Sequence, residues 1–388
     1  MVNIFSRSDK SVMKLEEVTK SLSSLKIPLS LVFTPVNLET EKKKFLESDR
    51  YEPQFIYKIV KNNNAEILKK LSSLKEISDV DPRISDFYIQ LIESKKDSSD
   101  LMHAVGNNEL MTDISYKKYG KPSSLLFRNA SRVLRGKVDS YNIVDMKKSK
   151  KEDMLGYDEI AEIFVEVFKS FDLGDWSVNK SANISKNGAK VGIKKKEVLL
   201  DPNIERSKFK LRKTLVHEVG THVLRSINGM NSGFEALSKP NLPSYLDVEE
   251  GLATWNESEM DLLTLRWLKG KAALLWAIYL GEDLTFRQLY NSVLGVLPKY
   301  SAFDITYRVK RGLGDTSYPG IYSKDIVYFR GFRTVKKKLE KDKSLYEKLY
   351  AGKIGFEQCE WVDTGLIPKA KIVPTKDQWK SIFKEVGI

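Results

Sequence analysis

Apolar residues recur at three- and four-residue intervals from the start of the chain, first at Leu15, Val18, Leu22 and Leu25 and again at Ile67, Leu68, Leu71 and Leu74. This is the spacing of helices that bury one face. The pattern stays helical from about 10 to 141. Ile27-Pro28 ends the first helix, and Thr34-Pro35-Val36-Asn37 reads as a turn into the next, with Asn37 as its cap, Phe45 and Leu46 on the buried side and Pro53 as its stop. Residues 146–153 are charged, with no large aliphatic side chain after Met146, and make the best linker. They predict a helical N-terminal lobe over 1–150 and a second domain over 151–388.

After a helix at 157–171 the pattern changes. Trp176-Ser-Val178, Asn183-Ile184, Lys190-Val-Gly-Ile193 and Val198-Leu-Leu200 are short extended runs between Asn, Gly and Lys turns, which predicts a small antiparallel sheet. Helices return at about 208–228, 247–267, 286–297, 324–340 and 376–386. The expected class is α+β, mainly α-helical, without internal repeats.

The 388 residues, 41% hydrophobic and 30% charged, are long and apolar enough for a packed core, which excludes disordered, collagen-like and coiled-coil readings. The longest apolar run, 272–280, is far short of the roughly 20 residues that cross a bilayer, and the N-terminus has no signal-like apolar stretch. A soluble, cytoplasmic protein without a membrane partner is expected. Lys and Arg exceed Asp and Glu by 65 to 52, a net +13 that favours acidic partners. Nucleic acid does not fit, because the lysine runs at 42–44 and 194–196 lack interleaved aromatics and no finger or helix-turn-helix stands out. Cys359 is alone, so there is no internal disulfide, and a metal site would have to use histidine and carboxylate.

Three histidines are present. His103, among Met102, Ala104 and Val105, reads as a packing or surface residue. The other two stand in Thr214-Leu-Val-His217-Glu218-Val-Gly220-Thr-His222-Val-Leu-Arg225, within an amphipathic helix expected to end at an Asn228-Gly229 cap. The usual zinc helix spaces its histidines by four, whereas these are five apart. In a regular helix five residues turn by about 140°, too far for one ion to be shared. A local widening to i→i+5 bonding closes the angle to roughly 50°, and such bulges favour functional sites. Gly220 lies where that distortion meets least hindrance.

Two imidazoles and one carboxylate, with a fourth position open to water, make a hydrolytic zinc site. Tyr245-Leu-Asp247-Val-Glu249-Glu250-Gly251-Leu-Ala-Thr-Trp255 opens another apolar-periodic helix, and Glu250 is the expected third ligand to one Zn2+ per chain, with Glu249 orienting an imidazole from behind. Glu218 is then the general base that takes a proton from metal-activated water.

His217-Glu218-x-x-x-His222 followed by Glu249-Glu250-Gly251-Leu252-Ala253 resembles the metallopeptidase family named for a QEGLA motif, which includes the microtubule-associated tyrosine carboxypeptidases. Tyr307-Arg308-Val-Lys310-Arg311-Gly312-Leu313, Asp315-Thr316-Ser317, Pro319-Gly320 and Lys324-Asp325-x-x-Tyr328-x-x-Gly331 are similar to a third block of that family, and Pro53-x-Phe55-x-Tyr57 and Tyr119-Gly120-x-Pro122 also look familial. The resemblance implies His217, His222 and Glu250 as zinc ligands, Glu218 as the catalytic carboxylate, and removal of a C-terminal tyrosine, as those enzymes do for α-tubulin. The Gln of the motif is Glu249 here, which adds a negative charge.

A carboxypeptidase must hold its substrate's terminal carboxylate, a task for Arg or Lys. Arg308, Arg311 and Lys324 are the candidates, and Tyr328 is a candidate hydrogen-bond donor or ring contact. The leading expectation is a zinc-dependent carboxypeptidase acting on the acidic or aromatic C-terminus of a peptide or protein. Its rival is a metal-dependent regulatory or peptide-binding protein that does not hydrolyse.

Overall fold

A computed structural model describes residues 12–144, 154–182, 184, 188–239 and 242–388. The expected linker at 146–153 and Asn183 lie outside them. The fold is α+β and mainly helical, with two two-stranded pairs and one three-stranded sheet among the described residues. By its contacts the chain forms two compact units, each discontinuous in sequence. The first gathers Met1–Leu134, Asn241–Pro243 and Ala272–Ile326, and the second Arg135–Pro240, Ser244–Lys271 and Val327–Ile388.

In the first unit the predicted helices form at Leu15–Ser24, Leu38–Glu47 and Asn64–Leu71, with Val18, Phe45 and Leu68 buried. Asn37 is not the side-chain cap expected of it. Its backbone, at φ −112° and ψ 19°, lacks the extended geometry that aims a cap at the first turn. The side chain instead donates to Gln54 O (2.8 Å) and accepts from Ile56 N (2.9 Å), tying down the segment after Pro53. Phe45 meets Phe286, Tyr290 and Phe303 with ring centroids 5.0, 4.9 and 5.5 Å away, which joins its helix to Phe286–Leu294 and Lys299–Lys310.

The second unit holds one hydrophobic core, built on the helix Tyr157–Ser170 and on Leu211, Leu215, Val219 and Val223 of the helix that carries the histidines. Its sheet is mixed, not antiparallel as expected. Glu197–Leu200 lies in the middle, antiparallel to Ala189–Gly192 and parallel to Ser177–Lys180. Side-chain alternation is the same in both pairings and so does not report strand direction. The tight link Ile193–Lys196, with Lys196 at φ 51°, makes the antiparallel hairpin.

The histidine helix runs without interruption from Lys208 to Met230, past the expected cap. Gly229 is there because a Cβ would stand 2.1 Å from the carbonyl oxygen of Leu237, so the chain passes too close for a side chain. The helix expected at 247–267 is two helices, Pro243–Glu259 and Leu265–Leu280. Between them Asp261 takes a left-handed φ of 57°, and Leu262 N and Asp261 N donate back to Glu257 O (2.8 Å) and Ser258 O (3.2 Å). This Schellman closure usually carries glycine, and aspartate in that role gave no stop signal.

The helix Pro243–Glu259, called the carboxylate helix below, packs on Ile326–Lys341 at backbone contact. A Cβ on Gly331 would lie 2.2 Å from Asp247 O, and one on Gly251 would lie 2.5 Å from Gly331 itself. Arg330 locks the same level with a two-pronged bond to the Asp247 carboxylate at 2.7 and 2.9 Å. Gly331→Ala should therefore force the helices apart and cost about 1–3 kcal/mol, read as a lower unfolding midpoint in denaturant. An unchanged midpoint would show that the contact has slack.

Candidate metal centre

From Leu215 to Val223 the histidine helix is a π-helix, the widening that a five-residue histidine spacing requires. His217 and His222 consequently face one cavity, with ring centroids 4.9 Å apart. Ligand atoms of His217, His222 and Glu250 all lie within 4.8 Å of one another, and His217 Nε2 stands 3.8 Å from Glu250 Oε2. Glu218 lines the same cavity of about 540 Å³. Two imidazoles and one carboxylate converging on an accessible space fit a divalent ion of borderline softness such as zinc, with room left for substrate.

Each imidazole is fixed from behind. His217 Nδ1 donates to Glu257 Oε1 at 2.8 Å, and His222 Nδ1 donates to Glu249 Oε1 at 2.6 Å. Anchoring both Nδ1 atoms leaves both Nε2 atoms for the cavity. Glu249 is thus the carboxylate behind His222. Glu257 was not anticipated, although the signal existed: it lies seven residues after Glu250, two turns along the same helix face.

The extra negative charge at Glu249 is balanced. Arg225 is fully buried, donates to Leu349 O (2.9 Å) and Ile354 O (2.5 Å), and bonds the Glu249 carboxylate. Lys353 Nζ adds a bond at 2.9 Å. Burial would raise the Glu249 carboxyl, but Lys353, Arg225 and His222 together hold it well below the usual carboxylate range. Burial would likewise lower His217, yet the Glu257 carboxylate, with Glu218 and Glu250, pushes it up to about 9.

The cavity wall carries further side chains that the sequence did not single out, among them Lys190, Lys239, Lys271, Lys353 and Trp267. Ala189, Lys190 and Val191 come from the edge strand of the three-stranded sheet. Tyr328 is on the wall as well, with Lys271 Nζ 3.5 Å from its ring centroid. Arg308, Arg311 and Lys324 belong to the first unit. There Arg308 grips Asp325 with two bonds of 2.7 and 2.8 Å, and Arg311 stands 3.5 Å from the same carboxylate. His103 Nδ1 meets Ser99 O at 2.8 Å within its own helix, and Cys359 is buried, its thiol pushed up to about 11 by that burial.

A family model described as microtubule-associated tyrosine carboxypeptidase matches residues 43–382. Over 321 residues the chain is 27% identical to MATCAP2 of Mus musculus, named as a candidate tyrosine carboxypeptidase, which covers 80% of this chain and 51% of the mouse protein. It is similar also to microtubule-associated tyrosine carboxypeptidase 1 of Rattus norvegicus, 31% identical over 165 residues (41% of this chain, 34% of that protein), and of Homo sapiens, 32% identical over 152 residues (38% and 31%). The matched stretches span about a third to a half of these relatives' own length.

The raised His217 makes a pH prediction for the metal-free protein. Its native value near 9 lies above the ordinary 6.5, so the stability it contributes is complete below about pH 6.5 and is lost as pH rises through 9. Denaturant unfolding at pH 6 and pH 9.5 should show a larger loss in wild type than in Glu257→Gln, where the main counter-charge is gone. Equal losses in the two proteins would contradict the assignment.

Proposed function

The chain belongs to the microtubule-associated tyrosine carboxypeptidase family, and from that premise we propose that it is a zinc-dependent peptidase that removes a C-terminal residue from an acidic peptide or protein tail. The observation that carries this reading is the convergence of His217, His222 and Glu250 on a cavity that Glu218 also lines, with a carboxylate behind each imidazole. These three side chains would hold zinc, which would supply a Lewis acid to acidify water and polarise a carbonyl.

The remaining work falls to the chain's own groups. Glu218 is next to His217 and accepts the proton of the attacking water, then delivers it to the departing amine nitrogen. Its place on the cavity wall, beside the ligands and not among them, suits a group that must exchange protons with substrate. Lys190, Lys239, Lys271 and Lys353 surround the cavity with positive charge, which matches a terminal carboxylate and acidic neighbours. Trp267 and Tyr328 offer aromatic faces to a tyrosine-like terminal side chain. Lys271, which lies over the Tyr328 ring, is one of these cations.

No helix among the described residues is long and apolar enough to cross a membrane, and the proposed site of action is the cytoplasm. The net charge of +13 is in keeping with an acidic protein partner.

The test is mass spectrometry of peptides ending in Glu-Tyr, with C-terminally amidated controls, after incubation with zinc-loaded wild type and Glu218→Gln. Wild type should release single C-terminal residues, amidation should block release, and Glu218→Gln should keep its zinc while losing roughly 10²–10⁴-fold in rate. Trimming by the variant at the wild-type rate would remove Glu218 from its role. Bound zinc without cleavage of any peptide would favour the non-hydrolytic, peptide-binding reading.

A further inference from the structure

The π segment between the two histidines is held by three residues from separate parts of the second unit. Tyr350 is fully buried, and its hydroxyl donates to the carbonyl oxygen of Gly220 at 2.7 Å. Asn256, on the carboxylate helix, donates through Nδ2 to Thr221 Oγ1 and to the Tyr350 hydroxyl, both at 2.8 Å. Tyr346 lies 3.1 Å from Asn256 Oδ1 and turns that amide toward the helix. Trp379 closes the third side: its ring edge stands 2.8 Å from where a Cβ on Gly220 would be. Thr221 Oγ1 in turn reaches the carbonyl of Val216, five residues back, at 3.4 Å.

Gly220 and Thr221 are the residues through which the wide turn passes, and both of their polar handles are engaged by groups outside the helix. A π turn gives up the better hydrogen-bond geometry of an α-helix, so it persists where tertiary contacts oppose its collapse. Collapse to α geometry would swing His222 away from His217 by roughly 90°, the difference between five residues at α pitch and at π pitch. Burial pushes the Tyr350 hydroxyl up to about 12, so it remains a donor across the working pH range.

We propose that Tyr350 and Asn256, backed by Trp379, are positioning residues that hold the π turn open and thereby set the spacing of the two histidine ligands. The proposal rests on the reading of His217, His222 and Glu250 as a zinc site. It extends the metal centre to residues that carry no ligand atom, and it gives the C-terminal helix Lys376–Glu385, which bears Trp379, a part in metal binding.

The experiment compares wild type, Tyr350→Phe and Asn256→Leu by zinc titration against a chelator of known affinity and by the visible spectrum of the cobalt(II)-loaded proteins. Tyr350→Phe keeps the ring packing and removes one hydroxyl, and Asn256→Leu removes the amide from the other side should the first variant fold poorly. Folding of each metal-free protein is checked by circular dichroism. The expected result is a folded variant whose zinc affinity falls roughly 10–100-fold, the range for outer partners of metal ligands, with cobalt ligand-field bands shifted from wild type. Wild-type zinc affinity with an unshifted cobalt spectrum in a folded variant would overturn the proposal, even if unfolding comes earlier, because that is what a merely structural role predicts. Failure of wild type itself to bind zinc would instead overturn the underlying metal reading, and the positioning role with it.

Discussion

Two histidines five residues apart on one helix face a single cavity when the helix between them is wide, and much of the second unit is packed around that wide turn. The widening is local, from Leu215 to Val223, with α-helix on both sides. It begins one turn after Leu211 and keeps Leu215, Val216, Val219 and Val223 fully buried, so the distortion costs the core nothing in apolar contact. Gly220 is small because Trp379 lies against it, not because a turn is needed there. The same glycine therefore lets the helix widen and receives the ring that fills the space behind it.

The carboxylate helix is the second fixed part. It supplies Glu250, the two carboxylates behind the imidazoles, Glu249 and Glu257, and the amide of Asn256. Putting four roles on one rigid element removes independent motions that a site built from loops would have to suppress. Its height is set by backbone contact at Gly251 and Gly331, where a single added methyl group has no room. The glycine of Glu250-Gly251-Leu252 thus belongs to helix packing, while its neighbours belong to the site.

Charge explains why glutamate is tolerated at position 249. A carboxylate buried this deeply is costly when unpaired. Arg225, Lys353 and the imidazole of His222 surround it, and Arg225 in turn satisfies two backbone carbonyls, Leu349 O and Ile354 O. A neutral amide would orient His222 without calling for two cations. The acidic side chain draws on the Nδ1 proton and so makes the imidazole more basic at Nε2.

What the sequence made legible follows from this arrangement. His217, Glu218, His222, Glu249 and Glu250 stand in two short motifs whose spacing states their geometry, and the five-residue interval with Gly220 inside it points to the π turn. Lys271 was silent because a charged residue on a helix is an ordinary surface feature unless the fold turns it inward, and Glu257 showed only its seven-residue offset from Glu250. The split after Glu259 was hidden for a similar reason, since Asp261 takes a backbone conformation that sequence normally signals with glycine. Strand direction was hidden differently, because the alternation of side chains is common to parallel and antiparallel partners. Local chemistry was therefore readable where the chain itself fixes the distance between two groups, as along one helix. It was unreadable where the distance depends on how separate segments pack, and Tyr350, 130 residues from the Gly220 carbonyl it binds, lies wholly in that second class.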